Sequence, residues 1–203
     1  MRELVLATRN RHKLAEARAI LSGAGVEVRG LEEFDDVPDV VEDRDTFEGN
    51  AAKKAEEVAH ATGSAALADD SGLVVDALGG APGVMSARYA GRDGDSAANN
   101  AKLLKKMKDI PDDGRAARFV CVIALAREGR KTRFFRGETL GRIGPEPRGE
   151  AGFGYDPLFI SDDLGVTFAE AGAEEKNAVS HRGRALAAFA EALESGGLDG
   201  FFD

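Results

Sequence analysis

The chain reads as an α/β fold: a mixed central sheet flanked by helices, arranged as two lobes that share a cleft. Three observations lead there. Strand-like apolar runs alternate with helix-like stretches through the first half of the chain. In the second half two strand-like runs, Phe119 to Ala126 and Lys131 to Leu140, are joined by a turn near Gly129, as in a hairpin. No segment is polar or long enough to separate independent parts, so residues 1–203 are expected to form a single two-lobed domain.

Leu4-Val5-Leu6-Ala7 is a short apolar run that ends in polar Thr8-Arg9-Asn10, which suits a buried strand. A helix pattern follows, with Leu14, Ala17 and Leu21 on one stripe, and stops near Gly23 and Gly25. Val26 to Leu31 suits a second strand. The acidic stretch from Glu32 to Asp45 contains Pro38 and is expected to be a loop. Thr46 suits the N-cap of a helix that runs to about His60 and is stopped by Gly63. Ala65 to Ala68 reads as a strand entering Asp69-Asp70, with Leu73-Val74-Val75 continuing as strand and Gly72 permitting a tight turn. Gly79-Gly80-Ala81-Pro82-Gly83 is a turn-rich loop. Asn99 to Lys108 is helical and is broken by Pro111-Asp112-Asp113-Gly114. Phe159 lies in another short strand. A last helix begins at Ser180, and its apolar stripe of Leu186, Phe189, Ala190 and Leu193 repeats at i, i+3, i+4, i+7.

Hydrophobic residues make up 43% and charged residues 31%, which excludes a disordered chain. No apolar run is long enough to span a bilayer, and the first residues lack a signal-peptide pattern. The single cysteine, Cys121, excludes an internal disulfide, so a cytoplasmic location is expected and no membrane partner. The net charge of −9 argues against a nucleic-acid surface, because phosphate backbones need clustered Lys and Arg. A small anion needs only a local basic pocket.

Four short segments carry chemistry. In Thr8-Arg9-Asn10-Arg11-His12-Lys13 a strand gives way to a helix, whose first N–H groups favour an anion. Thr8 and Asn10 add hydrogen bonds there, and Lys13 reaches back from one turn in; an ordinary Asn10 cap with a solvated lysine is the plainer alternative. This is not a Gly-rich phosphate loop. In Asp69-Asp70-Ser71-Gly72 two adjacent carboxylates point to opposite faces of an extended chain, so one holds a metal or activates water while the other supports the loop. A solvated turn is the competing reading. Glu42, within an acidic loop that also holds Glu32, Glu33, Asp35, Asp36, Asp39, Asp43 and Asp45, is a further candidate metal ligand. Lys54 is placed to face phosphate, although its neighbour Lys53 is not excluded by spacing. Phe153-Gly154-Tyr155-Asp156-Pro157 brings aromatic faces, close-approach glycines and an acceptor, Asp156, to stack on and bond a purine. Lys176 and Ser180-His181-Arg182-Gly183 add donors; cations in a first helical turn are unfavourable to the helix dipole unless an anion or an electron-rich oxygen faces them. Together the four segments suit one site for a metal-bound purine triphosphate, expected in the cleft between the lobes.

These segments, with Thr46-Phe47-Glu48-Gly49-Asn50-Ala51, Gly79-Gly80-Ala81-Pro82-Gly83 and Ser86-Ala87-Arg88-Tyr89, resemble in order the inosine/xanthosine triphosphate pyrophosphatase family, over almost the whole chain. The resemblance implies an elongated α/β fold, a homodimer, Mg²⁺ dependence and hydrolysis of ITP, dITP and XTP to the monophosphate and pyrophosphate. By position it implies that Thr8, Asn10, Lys13 and Lys54 contact phosphate. Asp70 matches the catalytic base and a metal ligand, and Glu42 and Asp69 match the other metal positions. Ser71, Phe153, Gly154, Tyr155, Asp156, Lys176, His181 and Arg182 match nucleotide contacts. Arg9 departs from the small residue that many members carry, and Glu42-Asp43-Arg44-Asp45 is looser than the family pattern. The expected mechanism has Asp70 orient or deprotonate a water that attacks the α-phosphorus, while Lys13, Lys54 and the helix start stabilise the leaving pyrophosphate. Donors from Lys176 or His181-Arg182 pairing with a 6-oxo group set the base preference. The competing expectations are a pyrophosphatase for other modified or standard nucleotides and a regulatory module that binds a triphosphate without hydrolysing it.

Overall fold

The computed structural model describes residues 2–34 and 37–202; Asp35 and Asp36 of the acidic stretch lie outside the described residues. The elements run β1 (Arg2–Leu6), α1 (Arg11–Ile20), β2 (Val26–Gly30), α2 (Phe47–Thr62), β3 (Ala66–Val75), α3 (Ser96–Met107), β4 (Ala116–Ala126), β5 (Arg133–Ile143), β6 (Phe159–Ser161), α4 (Ala173–Val179) and α5 (His181–Glu194), with short 3₁₀ turns between them. The strands form one six-stranded sheet in the order β2-β1-β3-β4-β5-β6. Parallel pairing of β1 with β2 and β3, and antiparallel pairing of β5 with β6, makes the sheet mixed, as the alternating first half and the interrupted second half predict. No helix among the described residues is long and apolar enough to cross a membrane.

Two compact units divide the chain. One holds Met1–Asp70, Cys121–Gly137 and Arg182–Asp203, and the other Ser71–Val120 and Glu138–His181. Each has its own core. In the first, Leu14 and Ala17 from α1, Leu21 at its C-cap, and Leu186, Phe189 and Leu193 from α5 pack with Leu4 and Leu6 of β1, Leu67 of β3 and Ile123 and Leu125 of β4. The stripe read from the sequence of α5 is therefore the buried one, except that Ala185 is fully buried where Ala190 is half-buried. In the second, Leu73, Val75, Leu103, Met107, Leu158, Phe159 and Phe168 surround Phe119, whose ring lies 4.6 Å from that of Phe159.

Helix ends follow local chemistry. Thr46 caps α2 by accepting from Gly49 N at 3.0 Å, and Gly63 ends it in the left-handed region at φ 63°. The segment 66–75 is one continuous strand, so the tight turn expected at Gly72 does not form. Nine of its ten residues are buried and leave no room for a solvated bend. Helix α4 was not foreseen: with seven residues it is too short to show a period, and it ends at Ser180 just before α5 begins.

Phe189 is fully buried and meets Phe135 edge-on at 5.4 Å between ring centroids. Phe189→Ala should cost about 3–5 kcal/mol of stability in urea unfolding. A loss below about 1 kcal/mol would contradict its central place in the first core.

Candidate active site

Strand alternation decides the site in the first unit. Asp69 and Asp70 are neighbours on β3, both 6% exposed, and their side chains leave the strand on opposite faces. Asp69 points the same way as Leu67, toward α1 and α5. Its Oδ2 takes Lys13 Nζ at 3.0 Å and Arg182 Nη2 and Nε at 3.2 and 3.3 Å. Arg182 also pairs with Glu16, one turn beyond Lys13 on α1, at 2.5 Å. Burial alone would push the Asp69 carboxyl up, but Lys13, Arg182 and Lys54 outweigh it and hold the group well below the carboxylate range. Arg182 has the mirror balance: burial opposes its charge, and Asp69 restores it and more.

Asp70 faces α2. Its Oδ2 accepts from Asn50 Nδ2 at 3.0 Å. Burial raises its carboxyl to about 6; Lys54 and the Asn50 bond oppose the shift, and the charge of Glu42 adds to it. Lys54 donates to the Asp69 carbonyl at 2.7 Å and pairs with Glu42. Although burial disfavours its charge, Asp69 and Glu42 keep the ammonium strongly protonated. Lys53 turns elsewhere, to Val41 O at 2.8 Å and Asp43 at 3.0 Å, so of these two adjacent lysines it is Lys54 that reaches the backbone of β3.

The helix start differs from the expected anion seat. Asn10 caps α1: its Oδ1 accepts from His12 N at 2.9 Å and Lys13 N at 3.3 Å, while Thr8 Oγ1 accepts from Asn10 N at 3.2 Å. Two of the helix-start N–H groups thus bond the Asn10 cap, the plainer alternative of the two readings, while the Lys13 ammonium reaches Asp69. Arg9 swings to Asp39 and the Val37 carbonyl, away from Lys13.

The second unit gathers the aromatic segment. Asp156 Oδ2 accepts from Phe153 N and Lys176 Nζ, both at 2.8 Å. The Lys176 ammonium lies 5.0 Å from the centroid of the half-buried Phe153 ring, within cation–π range. A Cβ on Gly152, which sits at φ 76°, would stand 2.2 Å from Asp156 Oδ2, so only glycine lets this turn close on the carboxylate. Gly154 is held through its carbonyl by Asn100 Nδ2 at 3.0 Å. Tyr155 is buried and donates its hydroxyl to Ser86 O at 2.9 Å, so its ring belongs to the core and not to an open stacking face. The His181 ring is buried and stacks on Phe119 at 4.7 Å and 11°. Ser71 is half-buried, the least covered residue of β3.

The Asp69 carboxylate is engaged by Lys13 and Arg182. Among the described residues no group of three or more His, Cys, Asp or Glu is gathered that could hold a metal ion. Arg182 is 4% exposed and bridges Asp69 and Glu16. Three residues escaped the sequence reading. Glu16 carries a faint signal, an opposite charge at i+3 from Lys13 on the same helix face. Asn50 is a fully buried polar residue on the face of α2 shared by Phe47, Ala51 and Val58. Phe119 has none that separates it from the core.

The fold and its buried lysines and carboxylates define a mixed α/β protein with a charged site built around one strand. A sequence model of the Ham1 family matches residues 4–192, and the chain belongs to that family. It is 54% identical over 199 residues, 98% of this chain and all of the relative, to a Geobacter sulfurreducens protein named dITP/XTP pyrophosphatase. The structure of a HAM1 protein from Coxiella burnetii superposes with a TM-score of 0.88 at 43% identity, covering 96% of this chain and 100% of that one. A Mycobacterium abscessus nucleoside-triphosphatase / dITP/XTP pyrophosphatase superposes at 0.76 with 48% identity, covering 92% and 98%.

The Asp70 carboxyl sits at about 6 against an ordinary 3.8, so the folded state holds an extra proton between those values. Stability from that proton is present at low pH and is lost as pH rises through about 6. Asp70→Asn mimics the protonated form. It should therefore melt above the parent at pH 8, with the gap closing as pH falls below the ordinary carboxylate range; a gap independent of pH would contradict the assignment. Asp69→Asn leaves Lys13 and Arg182 without their buried anion and should cost about 3–5 kcal/mol in chemical denaturation. By contrast, Glu48→Gln breaks the exposed pair with Arg136 and should cost no more than about 1 kcal/mol. Similar losses from both would remove Asp69 from the centre of the network.

Proposed function

We propose that the protein is a nucleoside-triphosphate pyrophosphatase that hydrolyses the deaminated purine triphosphates ITP, dITP and XTP to the monophosphate and pyrophosphate, with Mg²⁺ as cofactor. The observation that carries this reading is the convergence of Lys13 from α1 and Lys54 from α2 on Asp69, next to the raised carboxyl of Asp70. The names of relatives sharing about half of its residues support it.

Mg²⁺ favours oxygen ligands and commonly uses one or two carboxylates together with phosphate oxygens. Asp70 and Glu42 fit that demand: each lies within the other's electrostatic reach, with Asp70 oriented by Asn50 and Glu42 by Lys54. Held there, the ion supplies charge neutralisation on the phosphates and a more acidic water. Asp70 takes the proton of the attacking water. The new bond joins that oxygen to the α-phosphorus, the α–β bridging P–O bond breaks, and its electron pair leaves with pyrophosphate. A carboxyl near 6 is ionised at neutral and alkaline pH and is a stronger base than an ordinary aspartate. Lys13 and Lys54 carry the growing negative charge of the leaving group. For the base, Lys176 over the Phe153 ring is the donor suited to a 6-oxo purine, since Arg182 is committed to Asp69 and Glu16.

The test is pyrophosphate release at alkaline pH with Mg²⁺ from ITP, dITP, XTP, GTP and ATP at equal concentration. The first three should exceed ATP by on the order of 10²-fold or more, and Asp70→Asn should abolish release from all. Uniform release would keep the chemistry and overturn the base preference. Binding of ITP without turnover would make the protein a regulatory module.

A further inference from the structure

Asn50 is 0% exposed, yet its side chain is an amide, and each of its polar atoms has a partner. Oδ1 accepts from Arg44 N at 2.9 Å, and Nδ2 donates to Arg44 O at 3.2 Å and to Asp70 Oδ2 at 3.0 Å. The two bonds to Arg44 pair with its backbone as a neighbouring strand would, and they fix the loop residue that stands two positions after Glu42. The third bond fixes the carboxylate on β3. One rigid side chain on α2 therefore ties together the backbone that carries Glu42 and the carboxylate of Asp70. The loop lies close at this point: a Cβ on Gly49 would stand 2.9 Å from Arg44 Cβ, so the helix surface is bare where the loop crosses it.

The chemistry of the amide matters. Lys53 and Lys54 also hold this loop, but through ammonium groups on long flexible stems. Asn50 is neutral, so it orients Asp70 without cancelling the negative charge that a cation needs. Replacing the amide alone leaves Arg44 N, Arg44 O and Asp70 Oδ2 without this partner, so some loss of stability follows whatever the role of Asn50, and metal binding is the readout that separates positioning from scaffold. We propose that Asn50 is a positioning residue that sets the separation of the Asp70 and Glu42 carboxylates, and thereby the affinity of the substrate-free protein for a divalent cation. This rests on the reading of Asp70 and Glu42 as the metal-holding pair.

The experiment uses the full chain with Asn50→Leu, which keeps the branching and heavy-atom count of the side chain, though with bulkier methyl groups, and removes all three bonds, and Asn50→Ala, which removes them without adding bulk. Mn²⁺ binding to the substrate-free proteins is followed by electron paramagnetic resonance, beside the Mg²⁺ requirement for pyrophosphate release from ITP and the melting temperature. Loss of a partner that orients a ligand typically weakens metal binding about 10–100-fold. The proposal expects a weakening of that size in both variants, a matching rise in the Mg²⁺ needed, and an ITP KM at saturating Mg²⁺ close to the parent's. Folded variants with parental Mn²⁺ affinity would overturn it. So would failure of both variants to fold, or a lowered melting temperature with unchanged Mn²⁺ affinity, since either assigns Asn50 to the scaffold alone. If the parent itself neither binds Mn²⁺ nor releases pyrophosphate, the reading of the site fails, and this inference with it. A parent that does both beside unaltered variants removes only the role of Asn50.

Discussion

Two adjacent carboxylates on a buried strand cannot share an environment, and the structure of the first unit is organised around that constraint. Alternation along β3 sends Asp69 to one face and Asp70 to the other. A carboxylate that stays ionised out of water must be matched by charge and hydrogen bonds. Asp69 is matched twice over, by Lys13 and Arg182, and Glu16 balances the second cation, so two positive and two negative groups close on one another. Asp70 receives a neutral amide from Asn50, and the charge of Lys54 only partly offsets its burial. One carboxyl is thereby pulled far down and its neighbour is lifted. A single step along the chain separates a carboxylate held firmly ionised from one that takes up a proton far more readily.

That closure also explains an oddity at the start of α5. A guanidinium in the first turn of a helix opposes the helix dipole. Arg182 tolerates the position because two carboxylates, Asp69 from β3 and Glu16 from α1, face it at hydrogen-bond distance. The cost at the helix end is offset by a contact that joins α1, β3 and α5, the same elements whose Leu14, Leu67 and Leu186 form the apolar core beside it. Charge network and core thus hold the same helices, and Lys13 is delivered to its place by both.

Much of this was legible in the sequence. The caps were: Thr46 opens α2 with its hydroxyl, Gly63 closes it in the left-handed region, and Asn10 precedes α1. The alternation that splits Asp69 from Asp70 follows from the period of a strand and needs no coordinates. What escaped were partnerships between residues distant in the chain. Arg182 and Asp69 stand 113 residues apart, and nothing local says that the guanidinium turns to a carboxylate and not to a base. Tyr155 looks like an open aromatic face until Ser86, 69 residues away, takes its hydroxyl. The turn expected at Gly72 failed for a different reason: a glycine permits a bend but does not impose one, and burial on both sides kept the strand straight.

Lys54 shows how these parts work together under the proposed function. It sits among three acidic residues, accepted by the Asp69 carbonyl and paired with Glu42, and their charges keep it protonated despite burial. It therefore holds in place the carboxylate that a divalent cation would need. Under that proposal a metal-bound triphosphate would offer Lys54 phosphate oxygens and Glu42 a cation, so that each would exchange one opposite charge for another. Under the same proposal Lys13 can turn from Asp69 to phosphate, because Arg182 stays on that carboxylate and leaves it compensated. Each lysine thus has an anion to hold it and a second cation or ion to relieve it, an arrangement that adjacent carboxylates on opposite faces of one strand make possible.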